Sequence, residues 1–375
     1  VTSQDVTAVM ADGIGELTFA SAEWVSAART EMTRLLAETP LPNVKFTLCE
    51  VGHNAPVWMH AGDKLAWYMR LVDGALEMGA HELPESECDF KVQADHSILS
   101  NLACVVHAAN PADIVAAVVA RLTKLTRWKL SGKSPGDADL QVLLQRLHDA
   151  MALRTMPRFV WMSPEWVVIA RRFLTSRATS DKYRADLAGV DYVFVETFFH
   201  TPEFFFPDGA AAGFWVHCSN GEVTVGSGSP PDGMPSPDAL TQGWYGACLP
   251  VGRTVDAVAN DSDKAAQRRY KKAAFSHVSG GLPAAAQSSP SGRDQMPRPL
   301  ARVFAPMHDT MSKRTSGELP SDYAPDDAPW GEPQEFDRTS GYDTSWLRYD
   351  RVDLYGNDRQ QESKSTDETA AEHGV

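Results

Sequence analysis

One stretch of this chain occurs twice. Ser21-Ala22-Glu23-Trp24-Val25-Ser26-Ala27-Ala28-Arg29 and Ser163-Pro164-Glu165-Trp166-Val167-Val168-Ile169-Ala170-Arg171 agree at six of nine positions without a gap. An internal repeat constrains a fold more than any composition does, because it makes the chain one structural unit used more than once. A second, sparser match runs from His53–Gly79 onto His200–Gly226 at a constant offset of 147. It places His53 on His200, Gly62 on Gly209, Gly74 on Gly221 and Gly79 on Gly226. The first block is offset by 142, so the copies differ by five residues between the blocks, a change a loop absorbs.

Each copy reads the same way locally. Ser21 and Ser163 stand where an N-cap belongs, and Trp24, Ala28, Met32 and Leu35 follow at helical spacing. Val44–Leu48 and Tyr192–Val195 are rich in strand formers. Two further strands flank Asp73-Gly74 in one copy and Asn220-Gly221 in the other, pairs that supply the positive φ of a tight hairpin. Alternation assigns Trp67, Met69 and Leu71, with Phe214, Val216 and Cys218, to the inward face. It leaves Tyr68, Arg70 and Val72, with Trp215, His217 and Ser219, on the other. A helix over 111–122 closes the first copy and one over 263–272 the second. A connecting helix, roughly Ala138 to Leu153, carries the stripe Leu140, Leu143, Leu144 and Leu147. The expectation is an α+β chain of two repeated domains, each an antiparallel sheet covered by helices. The boundaries are 1–130, a connecting helix in 131–155, 156–278, and a linker with an extended acidic aromatic tail over 279–375.

The order of capped helix, glycine hairpin, further strand and final helix resembles the sterol-carrier-protein domain. Trp67–Gly79 is similar to that family's central hairpin and Cys88–Asp95 to its following strand. The resemblance covers Ser21–Leu125 and, more weakly, Ser163–Phe275; the Gly- and Pro-rich stretch Ser227–Gly243 departs from it. It implies a cavity between sheet and helices for acyl chains, sterols or similar molecules, and brings no shared catalytic motif.

Charge narrows the partners. Lys and Arg total 35 against 49 Asp and Glu, a net charge of −14, which disfavours nucleic acid and anionic membrane surfaces. No run reaches the length of a membrane span, and the first residues show no basic region before an apolar run, so no signal peptide is expected. Five cysteines without a CxxC pair fit a reducing, cytoplasmic setting. From Gly317 the chain has 15 acidic residues against 5 basic ones, yet keeps Trp330, Trp346 and several tyrosines. A tail of that kind is expected to wrap over the domains or a neighbouring subunit, making the chain a homo- or hetero-oligomer.

The chemistry is sparse. His53, His200 and Cys248 are the candidate catalytic groups, each with a structural reading beside it: a strand-end histidine satisfying a carbonyl, or a buried inert thiol. Cys49, His53, His60, His81, Cys88 and His96 lack the paired spacing of a zinc site, so no metal is expected. There is no GxSxG, P-loop or complete dinucleotide fingerprint, so no cofactor is expected. The candidate ligand-binding residues are Trp67, Met69, Leu71, Phe204, Phe206, Phe214, Val216, Trp244 and Tyr245. The first expectation is a binding protein for a hydrophobic small molecule. An enzyme, of lyase or hydrolase type, or a structural assembly subunit are the alternatives.

Overall fold

The protein is described by a computed structural model covering residues 3–56, 59, 64–123, 129–199, 212–244 and 296–316. His200, Phe204, Phe206, Tyr245, Cys248, the helix expected over 263–272 and the tail from residue 317 lie outside the described residues.

The first half begins with helix α1 (Ser3–Val9) and helix α2 (Ala22–Glu38). Strands β1 (Lys45–His53), β2 (Lys64–Val72), β3 (Ala75–Gly79) and β4 (Phe90–Asp95) follow. Then come helices α3 (His96–Leu102) and α4 (Ala112–Thr123), strand β5 (Lys129–Gly132) and helix α5 (Ala138–Ala152). The second half runs through β6 (Phe159–Val160), α6 (Pro164–Thr179), α7 (Asp181–Leu187), β7 (Asp191–Phe199), β8 (Ala212–Ser219), β9 (Glu222–Ser227) and β10 (Ala239–Trp244). Helix α8 (Arg298–Lys313) and β11 (Thr315–Ser316) end the described chain. The fold is α+β, and no helix among the described residues is long and apolar enough to cross a membrane.

The sheets are mixed rather than purely antiparallel. The first has the order β3-β2-β1-β4-β5 and the second β9-β8-β7-β10. In both, the central strand pairs antiparallel with its hairpin and parallel with a strand that returns on its other side. The reason is topological: β4 reaches the far edge of β1 by a crossover, and a crossover strand arrives parallel. Asp89 and Asp238 anchor the returning strands alike. The Asp89 carboxylate accepts from the Thr47 amide at 2.7 Å, and that of Asp238 from the Val193 amide at 2.8 Å.

Local geometry matches elsewhere too. Ala20 and Met162 both hold positive φ, 60° and 58°, immediately before the capping serines. Ser21 and Ser163 accept from the Trp24 and Trp166 amides at 3.1 and 3.2 Å. The hairpin turns lie in the left-handed region at Asp73-Gly74 (51°, 84°) and Asn220-Gly221 (49°, 87°), as the turn chemistry requires. The Trp24 indole donates to Thr155 Oγ1 and the Trp166 indole to Thr315 Oγ1, at 2.8 and 2.9 Å.

Helix α5 packs along α2 and buries Leu140, Leu143 and Leu147 in the first core. Its apolar stripe joins the core on the inner face of the first sheet, while His148 and Asp149 bond the Val105 carbonyl and the His107 amide. Helix α8 packs on α6 in the second half. Helix α4 packs on α1 and α3, and its Val115, Val118 and Leu122 enter the second core together with Val6 and Val9 of α1. The two cores therefore do not divide at residues 130 and 156: the start of the chain is built into the second half.

Candidate functional site

Strand register sorts the residues of the first sheet onto two faces. Phe46, Leu48, Glu50 and Gly52 of β1 face the same way as their partners Leu71, Met69, Trp67 and Leu65 of β2. Phe90, Val92 and Ala94 of β4 continue the same rows, and Leu130 of β5 extends the Val92 row. This face is covered by α2 and α5, and Trp67, Met69 and Leu71 are buried in it, as alternation required. These three are wall packing: Met69 and Leu71 expose nothing. Phe214 and Val216 are equally buried in the second core. Trp244 is the last residue of β10.

One polar side chain sits in the middle of this apolar face. The Glu50 carboxylate accepts from Trp67 Nε1 at 2.8 Å, and among the described residues that is its one hydrogen bond. Burial among apolar groups raises its pKa from the ordinary carboxylate range to about 7, against the opposing pull of the indole. An aromatic wall stands beside it: Trp67 and Trp24 have ring centroids 5.2 Å apart, and Phe19 meets Trp24 at 5.0 Å and His96 at 6.0 Å. Gly52, two residues on, has no side chain because His96 occupies that place; a Cβ there would stand 3.0 Å from the His96 backbone. His96 is itself fully buried, with Nε2 2.9 Å from the Phe19 carbonyl oxygen, and desolvation lowers its pKa to about 3.

The cover over this face is incomplete on the β4–β5 side. Leu48 and Phe90 keep part of their surface, and Leu130 is 51% exposed. Glu50, between Leu48 and Gly52 on the same strand, also remains partly accessible. In the second half the positions of Leu48 and Gly52 are filled by buried rings. Phe194 takes the register position of Leu48, is buried, and meets Phe304 of α8 at 5.6 Å. Phe198 takes the position of Gly52 and meets Trp161 at a tilt, ring centroids 4.6 Å apart.

Register also places a glutamate in each half. Lys45 pairs with the residue before one hairpin turn and Asp191 with the residue before the other, so the central strands align with an offset of 146. Glu50 therefore corresponds to Glu196, which faces Phe214 where Glu50 faces Trp67. The gapless offset of 147 holds for the hairpins but slips by one on the central strands, and so hid this pair. By register His53 corresponds to Phe199, not to His200.

His53 lies at the end of β1 on the opposite face, its Nε2 3.4 Å from Gln93 Oε1. The sheet thus separates it from Trp67, Met69 and Leu71. That opposite face carries a small second cluster, in which Tyr68 is buried with Cys49, Val51 and Leu83. Tyr68 was expected on the more open side; the segment Ala80–Asp89 folds over it and brings Leu83 into contact. Lys91 is buried there too, bonded to Glu82 and to the Leu83 carbonyl at 2.7 Å each. Burial pushes the thiols of Cys49 and Cys88 up, which makes them poor nucleophiles.

No protein-family model and no curated protein matches this chain.

Proposed function

We propose that the chain is a binding protein for a hydrophobic small molecule, seated on the inner face of the first sheet. The observation that carries this reading is the pairing of a lone carboxyl with an incompletely covered apolar strip. Leu48, Phe90 and Leu130 offer apolar area, and Glu50 with Trp67 offers one fixed polar contact. Ligand sites are usually built in that proportion, mostly apolar wall with few polar groups that set orientation. Glu50 is ringed densely enough by protein for burial to dominate its pKa, yet retains accessible surface. Apolar area removed from water supplies the affinity, at about 25 cal/mol per Å².

The matched caps, turns, indole bonds and returning strands support reading the halves as copies of one sterol-carrier-like unit. In that reading the first copy keeps an open inner face and the second has filled its own with Phe194, Phe198 and Phe304. The acidic aromatic tail is the segment through which chains would associate. The free thiols Cys49, Cys88, Cys104 and Cys218 fit a reducing, cytoplasmic setting.

Titration with Nile red, a neutral apolar dye, tests the site. Saturable binding that weakens about tenfold in Leu48→Gln or Leu130→Glu, a loss of about 1.4 kcal/mol, is expected. Equal binding by both variants, or none by the wild type, removes the reading.

A further inference from the structure

The polar end of this site has a definite chemical sense. Trp67 can only donate, through its indole N–H, and it already occupies Glu50 Oε2. The other carboxylate oxygen has no partner among the described residues and, in the ionised form, can only accept. The cations of α2 and α5, the helices over this face, are engaged elsewhere. Arg29 of α2 donates to the Met78 carbonyl, Arg34 is held by Glu31 and Glu38, and Arg146 of α5 by Glu38. On α3, His96 faces the Phe19 carbonyl. Lys129, at the open edge, pairs with Glu85. Among the described residues Glu50 is thus an acceptor on an apolar wall without a cation of its own.

Resting on the proposed ligand site, we infer that its ligand is an amphipathic amine: an apolar body ending in a protonated nitrogen that bonds the free oxygen of Glu50. Four arguments converge. A charge-assisted N–H···O bond is roughly twice as strong as a neutral one. The usual objection to a buried ion pair is the cost of desolvating both ions. Here folding has already withdrawn much of the carboxyl from water, so the ligand meets a group that gains by being paired. A fatty acid, by contrast, would set a second carboxylate against Glu50, and like charges at contact exclude one another. The net charge of −14 adds a long-range field that draws cations and repels anions.

Three probes of one chain length separate the possibilities: dodecylamine, dodecanol and dodecanoate. Each is titrated below its critical micelle concentration at pH 8 into wild type and Glu50→Gln, followed by calorimetry and tryptophan fluorescence. The expected order in wild type is amine, alcohol, acid, with the amine about tenfold tighter than the alcohol, a difference of about 1.4 kcal/mol. In Glu50→Gln the amine loses its lead and falls to the level of the alcohol. Dodecanoate binding as tightly as dodecylamine in wild type overturns the inference and leaves the apolar site standing. So does an amine preference that survives in Glu50→Gln. If none of the three binds, the site falls and the inference falls with it.

Discussion

Trp24 donates its indole N–H to Thr155 Oγ1 at 2.8 Å, joining the start of α2 to the residue chain that leaves α5. Thr155 Oγ1 in turn donates to the Met151 carbonyl at 2.8 Å, so both groups of a buried pair are satisfied. Thr155→Val keeps the shape and removes the acceptor, leaving a buried indole N–H unpaired. The expected loss is about 1–3 kcal/mol in a urea melt. Thr155→Ser keeps the oxygen and should lose far less. Thr315→Val, with Trp166 at 2.9 Å, should behave in the same way. Melts of Thr155→Val that overlay the wild type would show the bond to be without consequence.

That bond also shows what could be read in the chain. The helix caps, the hairpin glycines and the inward set Trp67, Met69 and Leu71 were legible, because each follows from a local rule acting on a few neighbouring residues. The role of α5 was not. Its apolar stripe says that it is buried and is silent on which sheet it covers. A signal was present: Leu147-His148-Asp149-Ala150-Met151-Ala152-Leu153-Arg154-Thr155 and Met307-His308-Asp309-Thr310-Met311-Ser312-Lys313-Arg314-Thr315 agree at five of nine positions. That third block puts one helix end and one indole acceptor in each half. Glu50 was missed for a different reason. A one-residue slip between hairpin and central strand moves a side chain to the other face, and only strand pairing fixes the register.

Glu50 should make stability depend on pH in an unusual direction. Its carboxyl titrates at about 7 in the fold and near 4.5 when unfolded, so between these limits the folded chain holds more protons. Stability is therefore full below pH 4.5 and falls as pH rises toward 7. The contribution is no more than about 3 kcal/mol, since one unit is worth about 1.4 kcal/mol and the side chain keeps some solvent. Glu50→Gln removes this slope and should be the more stable protein at pH 8. Urea midpoints of the two proteins that differ by the same amount at pH 4.5 and pH 8 would contradict it.

His96 and His148 act in the opposite sense. Desolvation lowers His96 to about 3 and His148 to about 4, while both titrate near 6.5 when unfolded. The unfolded chain then binds more protons as pH falls from 6.5 toward 4, and stability is lost over that window. Each histidine contributes roughly 1.4 kcal/mol per pH unit there, and Glu50 offsets one of them. Wild type should therefore weaken moderately between pH 6.5 and 4.5, and Glu50→Gln more steeply. Replacing His96 with Gln should flatten the profile. A Glu50→Gln protein equally stable at both pH values would show that neither ring stays neutral in the fold.

Gly79 and Gly226 face aromatic rings across their hairpins. Tyr68 is the register partner of Gly79, and Trp215 that of Gly226. A Cβ on Gly79 would stand 2.3 Å from Tyr68 Cε1, and one on Gly226 2.2 Å from Trp215 Cζ2. Either ring would have to leave its place, and Tyr68 would lose its 2.7 Å bond to Glu77. Gly79→Ala and Gly226→Ala should each cost about 1–3 kcal/mol by overpacking, although neither backbone needs positive φ. A double-mutant cycle isolates the cause: in a Tyr68→Ala background the Gly79→Ala cost should largely vanish. An undiminished cost there would trace it to the strand backbone and not to the ring.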